Sequence, residues 1–227
     1  MSEPRGQLLP VYIVADVSYS MAPYLRNLNT GLESLHRKLL SEPMVAAKVR
    51  ISVLGFSDTV TEYLRRADLR DVKDLPGLST AGSTSYRAAF EALHSRIPGD
   101  VAAMKAENYK VLRPVVFFFS DGLPNGDEDW RSARQRVVDR SVTRAAPNVV
   151  AFGIGNEVDA GTILEIATAT KHAFVTTPAA DIGDAIGDLF SSLTQSVMHS
   201  GHSMMAGQAE LKIDPPSDTF AYAIDEV

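Results

Sequence analysis

An apolar run with no alternation, Pro114-Val115-Val116-Phe117-Phe118-Phe119, restricts this chain more than any other stretch of it. Successive side chains of a β-strand leave on opposite faces, so a strand without polar alternation is covered on both. Such strands lie in the middle of parallel sheets, between layers of helix. A second run, L-L-P-V-Y-I-V-A over residues 8–15, predicts another central strand. Apolar runs then alternate with helical patterns along the chain, the mark of an α/β fold with a mostly parallel sheet. With 227 residues and 45% hydrophobic content, there is enough apolar material for one substantial core.

Periodicity places the remaining elements. Leu25, Leu28, Leu32, Leu35 and Leu39 recur at helical spacing and predict a helix over 23–40. Residues 48–56 predict a strand, and Ser57-Asp58-Thr59 a tight turn into a short antiparallel strand over 60–64. A helix over 85–97 is expected to close at Pro98-Gly99, with 100–110 a short helix or loop. Further helices are expected over 127–144, 160–170 and 181–199, and strands over 148–154 and 172–175. Periodicity stops after Gly201. The expected organisation is one domain over residues 1–200 and a tail, 201–227, either loosely ordered or laid over the domain surface, without a fold of its own.

Composition removes several function classes. There is no cysteine, so disulfides, zinc-thiolate sites and thiol catalysis are excluded. The net charge of −6 speaks against a nucleic-acid binder. Residues 1–10 lack the apolar core of a secretory signal, and no stretch approaches the roughly 18 apolar residues of a membrane helix. A cytoplasmic protein is expected, with no nucleic-acid or membrane partner.

Both of the most apolar strands finish on an aspartate, Asp16 in D-V-S-Y-S and Asp121 in S-D-G. In open α/β sheets, ligands sit beyond the carboxyl ends of strands where the strand order reverses. Strands flanking that reversal would bring Asp16 and Asp121 side by side. Their repulsion would be about 1–4 kcal/mol at surface-like dielectrics, and a divalent cation between them would reverse its sign. A third loop, T-A-G-S-T-S over residues 80–85, is dense in hydroxyls and precedes a helix. Asp16, Asp121, Ser18, Ser20 and Thr84 are all hard oxygen donors, a set that selects Mg2+, Mn2+ or Ca2+ over zinc or copper.

In order and spacing, D-V-S-Y-S, G-S-T and F-S-D-G resemble the metal-ion-dependent adhesion site (MIDAS) of von Willebrand factor A (VWA) domains. The resemblance covers roughly residues 8–199. More narrowly, L-P-V-Y-I-V-A-D-V-S-Y-S-M, L-R-P-V-V-F-F-F-S-D-G-L-P-N-G-D-E-D-W and A-F-G-I-G-N-E-V-D resemble the bacterial TerY-type proteins of tellurium-resistance operons. The resemblance implies a doubly wound, mostly parallel six-stranded sheet in the order 3-2-1-4-5-6, with one antiparallel edge strand and helices on both faces. It implies that Ser18, Ser20 and Thr84 are direct metal ligands, and that Asp16 and Asp121 act directly or through water. The threonine assignment at Thr84 could slip to Ser83 or Ser85. One position of a magnesium ion would stay open for an Asp or Glu of a partner protein. The implied setting is a bacterial stress response, with a kinase or phosphatase of the same operon as partner. Tyr19 stands where the family usually has glycine and is a candidate contact on the rim.

Trp130, the single tryptophan, is a candidate partner anchor, with core packing as the alternative. Asp127, Glu128 and Asp129 suit the N-terminus of the following helix. Arg136, Arg140 and Arg144 would share one helix face, solvated or docking an acidic surface. His199 and His202 lack a third ligand in the sequence. Gly153-Ile154-Gly155 lacks the last glycine of a dinucleotide fingerprint, Val158 standing there. Asp214, Asp218, Asp225 or Glu226 of the tail could reach a metal. The alternative function is a Mg2+-dependent phosphohydrolase of haloacid dehalogenase type. That enzyme needs a second carboxylate where this chain has Ser18, and no G-x-S-x-G supports a serine hydrolase.

Overall fold

The computed structural model describes residues 3–121, 124–126, 128–155, 158–207, 212–216 and 219–222. Eight strands form one sheet: β1 (Gln7–Asp16), β2 (Val49–Phe56), β3 (Val60–Ala67), β4 (Lys110–Val111), β5 (Val115–Ser120), β6 (Asn148–Gly153), β7 (Ala173–Thr176) and β8 (Phe220–Tyr222). Their order is β3-β2-β1-β5-β6-β7-β8, with β4 paired to the start of β1. Without the short β4 and β8, this is the expected 3-2-1-4-5-6 order. β3 and β8, at the two edges, run antiparallel to their neighbours.

The two faces of β1 divide the core. Leu9, Val11, Ile13 and Ala15 point to the side covered by α1 (Leu25–Leu40), α2 (Pro43–Ala46) and α6 (Ile182–Met205). Leu8, Tyr12 and Val14 point to the side covered by α3 (Tyr86–Ala106), α4 (Trp130–Val138) and α5 (Ala160–Ile166). The phenylalanines of β5 divide likewise: Phe117 and Phe119 face Phe152, whereas Phe118 stacks on Phe90 at 5.5 Å between centroids. At Gly31 of α1 a Cβ would lie 2.2 Å from the Phe190 ring, so glycine is what lets α1 and α6 approach.

The helix α3 does not stop at Pro98-Gly99. It runs on to Ala106 with Pro98 inside it. Proline costs the helix one backbone bond, but the turns beyond it bury Asp100, Val101 and Met104. Asp100 is 1% exposed; its carboxylate accepts from the Tyr12 hydroxyl at 2.9 Å and from Arg65 Nε at 3.0 Å. Burial and that carboxylate hold the Tyr12 hydroxyl far above its ordinary pKa. Asp100→Ala is expected to cost on the order of 2 kcal/mol, by orphaning the buried Tyr12 hydroxyl and removing the acceptor of a half-exposed arginine. A guanidinium denaturation midpoint unchanged in that variant would refute the anchoring role.

Two other expectations are corrected. The helix expected over 127–144 ends at Val138, because Asp139 turns the chain by accepting from the N–H and hydroxyl of Ser141. Arg140 and Arg144 therefore lie off the helix, and no arginine stripe forms. The expected boundary at residue 200 also moves. Helix α6 continues to Met205, and residues 220–222 form β8 against β7. Between them, Lys212 and Asp214 lie along α6: Ser196 Oγ accepts from the Asp214 N–H at 2.8 Å, and Ser200 Oγ from the Lys212 N–H at 3.0 Å. Asp214 faces His199, whose Nδ1 is 2.9 Å away, and His202 meets Glu42 at 3.2 Å. The two histidines thus have separate partners, and Asp214 belongs to α6. Asp218, Asp225 and Glu226, like Asp127, fall outside the described residues.

Candidate metal centre

The sheet's order reverses between β1 and β5, and Ala15 pairs with Phe119. That register sets the carboxyl ends of both strands side by side. Asp16 is fully buried. Its Oδ1 accepts from the Ser18 N–H at 2.9 Å, and its Oδ2 from the Ser120 hydroxyl at 2.7 Å. The Tyr86 hydroxyl donates in turn to Ser120 Oγ at 2.9 Å. Side chains alternate along D-V-S-Y-S: Val17 is buried, whereas the Ser18 and Ser20 hydroxyls lie 3.0 Å apart. The Ser20 hydroxyl donates to Asp121 Oδ1 at 3.0 Å. An unbroken chain of polar contacts thus joins Asp16, Ser18, Ser20 and Asp121.

The 80–85 loop is fastened to the first loop through its backbone. The Ala81 N–H donates to Val17 O at 2.8 Å, and the Tyr19 N–H to Gly82 O at 3.1 Å. Gly82 has φ +59°, and a Cβ there would meet Asp58 Oδ2 at 2.1 Å, so the turn requires glycine. Asp58, in the β2–β3 turn, accepts from the Ser83 hydroxyl and from the Ser83 N–H at 3.2 Å. Ser85 caps α3, accepting from the Ala88 N–H at 3.1 Å. Thr84, between them, lines one open cleft with Ser18, Tyr19, Ser20, Asp58 and Ser83. The Ser83 hydroxyl is taken up by Asp58 and that of Ser85 by Glu128 and the α3 cap, while Thr84 is the threonine at the cleft.

Two residues of the loop after Asp121 secure the third loop to the second. The Asn125 N–H donates to Thr84 O at 2.9 Å, and Asn125 Oδ1 accepts from the Thr84 N–H at 3.3 Å. Glu128 accepts from the Tyr86 N–H and the Ser85 hydroxyl, both at 2.7 Å. It serves the N-terminus of α3; Asp129 caps α4. Asp58, Ser120, Asn125 and Glu128 were not singled out from sequence as parts of this centre. Ser120 alone carried a signal, a hydroxyl ending an otherwise apolar strand. The others meet partners 25 to 43 residues away, which no local pattern reveals.

Of the two candidate partner contacts, Tyr19 stands on the rim, 72% exposed. Trp130 does not. It is 2% exposed, edge-on to Tyr86 at 5.6 Å and stacked on Phe90 at 6.2 Å. With Ala133 and Val137 it forms the buried stripe of α4, so it is a core residue and not a docking anchor.

The electrostatics of the centre suit a cation. Burial raises the Asp16 carboxyl above its usual value. Burial, and then the charge of Asp16, push Asp121 up to about 6. Two acids that resist ionisation together are relieved by a positive charge between them. Among the described residues no group of three His, Cys, Asp or Glu converges, so hydroxyls have to complete any coordination shell here. Two carboxylates with three neutral hydroxyls fit a hard divalent ion.

No protein-family model matches the sequence, and no curated protein does. Solved structures do. The pilus adhesin SpaC of Lactobacillus rhamnosus GG superposes with TM-score 0.67 at 11% identity, over 86% of this chain and 30% of the adhesin. Proximal thread matrix protein 1 of the mussel byssus, in a structure with a zinc-occupied MIDAS motif, gives 0.60 at 15% identity over 86% and 49%. A von Willebrand factor type A protein of Catenulispora acidiphila gives 0.51 at 14% identity over 85% and 43%. This chain therefore spans half or less of the length of these proteins. No helix among the described residues is long and apolar enough to cross a membrane. The likeness, together with the sheet order, establishes that the chain has the fold of a von Willebrand factor A domain.

Proposed function

We propose that the chain is a non-enzymatic interaction module that holds a divalent cation at Asp16, Ser18, Ser20, Thr84 and Asp121 and binds a protein partner there. The observation that carries this reading is the pair of strand-end carboxylates, one fully buried and the other raised to about 6 by burial and by its neighbour. The zinc-occupied MIDAS motif of the mussel protein, which shares the fold, supports a divalent ion. Magnesium fits the all-oxygen donor set best.

When bound, the ion supplies a Lewis-acidic coordination position open to a partner's Asp or Glu. The chain's own residues prepare that position. Ser18 N–H and Ser120 fix the Asp16 carboxylate, and Asn125 holds the backbone of Thr84 on both sides. Ser20 orients Asp121. The phosphohydrolase alternative calls for an acid–base carboxylate at Ser18, and Ser18 instead presents an N–H to Asp16 and a hydroxyl to Ser20.

On the sequence resemblance to TerY-type proteins, the setting is the bacterial cytoplasm. The role there is an adaptor in a stress or tellurium-resistance signalling complex, with a kinase or phosphatase as partner. Calorimetric titration with Mg2+, Mn2+ and Ca2+, followed by capture of partners from a bacterial lysate with and without EDTA, tests the proposal. Heat of ion binding and EDTA-sensitive capture are expected. The absence of binding by any of the three ions would refute it. Mg2+-dependent phosphatase turnover lost in Asp16→Ala would favour the alternative.

A further inference from the structure

The cleft that borders the metal centre carries a charge the coordination chemistry does not need. Asp58 is exposed at its lip, on the turn between β2 and β3, and lines the cleft with Tyr19 and Ser83. Its carboxylate is fixed in direction, because the N–H and the hydroxyl of Ser83 both donate to it. A carboxylate has about four acceptor positions, and Ser83 takes two of them. Those same bonds hold its pKa below the usual carboxylate value, so it stays anionic. Among the described residues that line the cleft there is no lysine or arginine.

The charges do not balance for a purely acidic partner. Asp16, Asp121 and Asp58 bring three negative charges to this end of the sheet. A divalent ion leaves one of them uncompensated, and a partner carboxylate adds a second. A cation on the partner would halve that excess. Its place is set by chain geometry, since Ser83, which Asp58 grips, directly precedes Thr84. Asp58 therefore lies within about three residue lengths, at most about 11 Å, of Thr84. In an extended segment, side chains two residues apart leave on the same face about 7 Å apart. An acid and a base at that spacing span the distance. The exposed ring of Tyr19, whose N–H is bonded to Gly82 O on the opposite loop, flanks the path between them.

We propose that the cleft recognises an extended protein segment carrying an Asp or Glu and, two residues away, a Lys or Arg that pairs with Asp58. The acid reaches the metal centre, so the inference rests on the proposed function. The base supplies selectivity among acidic segments. Charges at an interface rim act on specificity and encounter rate more than on total affinity, which is the behaviour expected of Asp58.

End-blocked fluorescent pentapeptides test this, on the full chain at an ion concentration that saturates each variant. The set is Gly-Glu-Gly-Lys-Gly, Gly-Lys-Gly-Glu-Gly, Gly-Glu-Gly-Gly-Gly and Gly-Glu-Gly-Glu-Gly. The parent protein is expected to bind the better acid–base peptide about fivefold more tightly than the acid-only peptide, near the upper end for an exposed ion pair. The amide signal of Ser83 is expected to shift with the acid–base peptide more than with the acid-only one. Asp58→Asn keeps an acceptor for Ser83 and is expected to erase the preference. Asp58→Lys is expected to turn it toward the doubly acidic peptide. Equal binding of the four peptides by the parent protein, no binding of either acid–base peptide, or a preference retained in Asp58→Asn would each overturn the proposal. Titration of the ion alone separates the two levels. Without ion binding the metal centre itself fails; with ion binding but no peptide preference, only the role of Asp58 fails.

Discussion

Asp16→Asn is expected to remove divalent-ion binding, by about 100-fold or more in affinity, while leaving the metal-free protein at least as stable as the parent. Removing even a residue that merely supports a ligand typically costs 10- to 100-fold in metal affinity. The substitution is close to isosteric. The Ser18 N–H keeps an oxygen acceptor, and the Ser120 hydroxyl can turn to accept from the new amide. What disappears is a buried charge that resists ionisation and raises Asp121. The pH dependence follows from the sign of that shift. Asp121 has its pKa raised from 3.8 to about 6, so folding favours its protonated form. The stabilisation from that proton is complete below the unfolded value of 3.8 and is lost as pH rises through about 6. The metal-free parent is therefore expected to melt at a lower temperature at pH 7.5 than at pH 5, on this group's account. Added Mg2+ should raise the melting temperature more at pH 7.5, where protons no longer compete with it. In Asp16→Asn the ion-dependent rise should vanish at both pH values and the pH dependence should shrink. Scanning calorimetry in magnesium and in EDTA measures all of this. A variant that retains the magnesium-dependent rise would remove Asp16 from the centre.

Val116→Asp is expected to abolish folding. Val116 is fully buried in β5, with Tyr12 of β1 on one side and Val149 of β6 on the other. A carboxylate there has no partner and no water, and the effective penalty is several kcal/mol, against a total stability of about 5–15 kcal/mol for a domain. No cooperative melting transition should remain, and the protein should be recovered insoluble. Val142→Asp is the matched control. Val142 is 64% exposed in the turn after α4, and the same chemical change there should stay within about 0.5 kcal/mol of the parent. A Val116→Asp protein that melts cooperatively within a few degrees of the parent would contradict the central placement of β5.

What could be read in advance follows the range of the forces involved. Strands β1 and β5 announced themselves because burial on both faces leaves no polar residue between Val115 and Phe119. The proposed donor set could be named in advance because a cation centre needs several oxygens close together, and D-V-S-Y-S supplies three of them. The end of α3 was misplaced because Pro98-Gly99 is a local stop signal, whereas Asp100 is held by Tyr12, 88 residues away. β8 was hidden for a similar reason. Three residues are too few to show a period, and only the open edge of β7 gives them a place. The two paired residues of β4 are too short to show one either. Trp130 was ambiguous because a large aromatic serves an interface or a core equally well, and its spacing with Ala133 and Val137 was the better guide. Asn125 and Asp58 carried no signal, since their importance lies in which backbone they grip.

The position of Trp130 gives the molecule an optical readout of its own. The single indole lies edge-on against Tyr86, and the hydroxyl of Tyr86 leads through Ser120 to Asp16. Indole emission from this chain therefore comes from one residue, two hydrogen bonds and one ring contact from the carboxylate that ends β1. Titrations can be followed by light without attaching a dye.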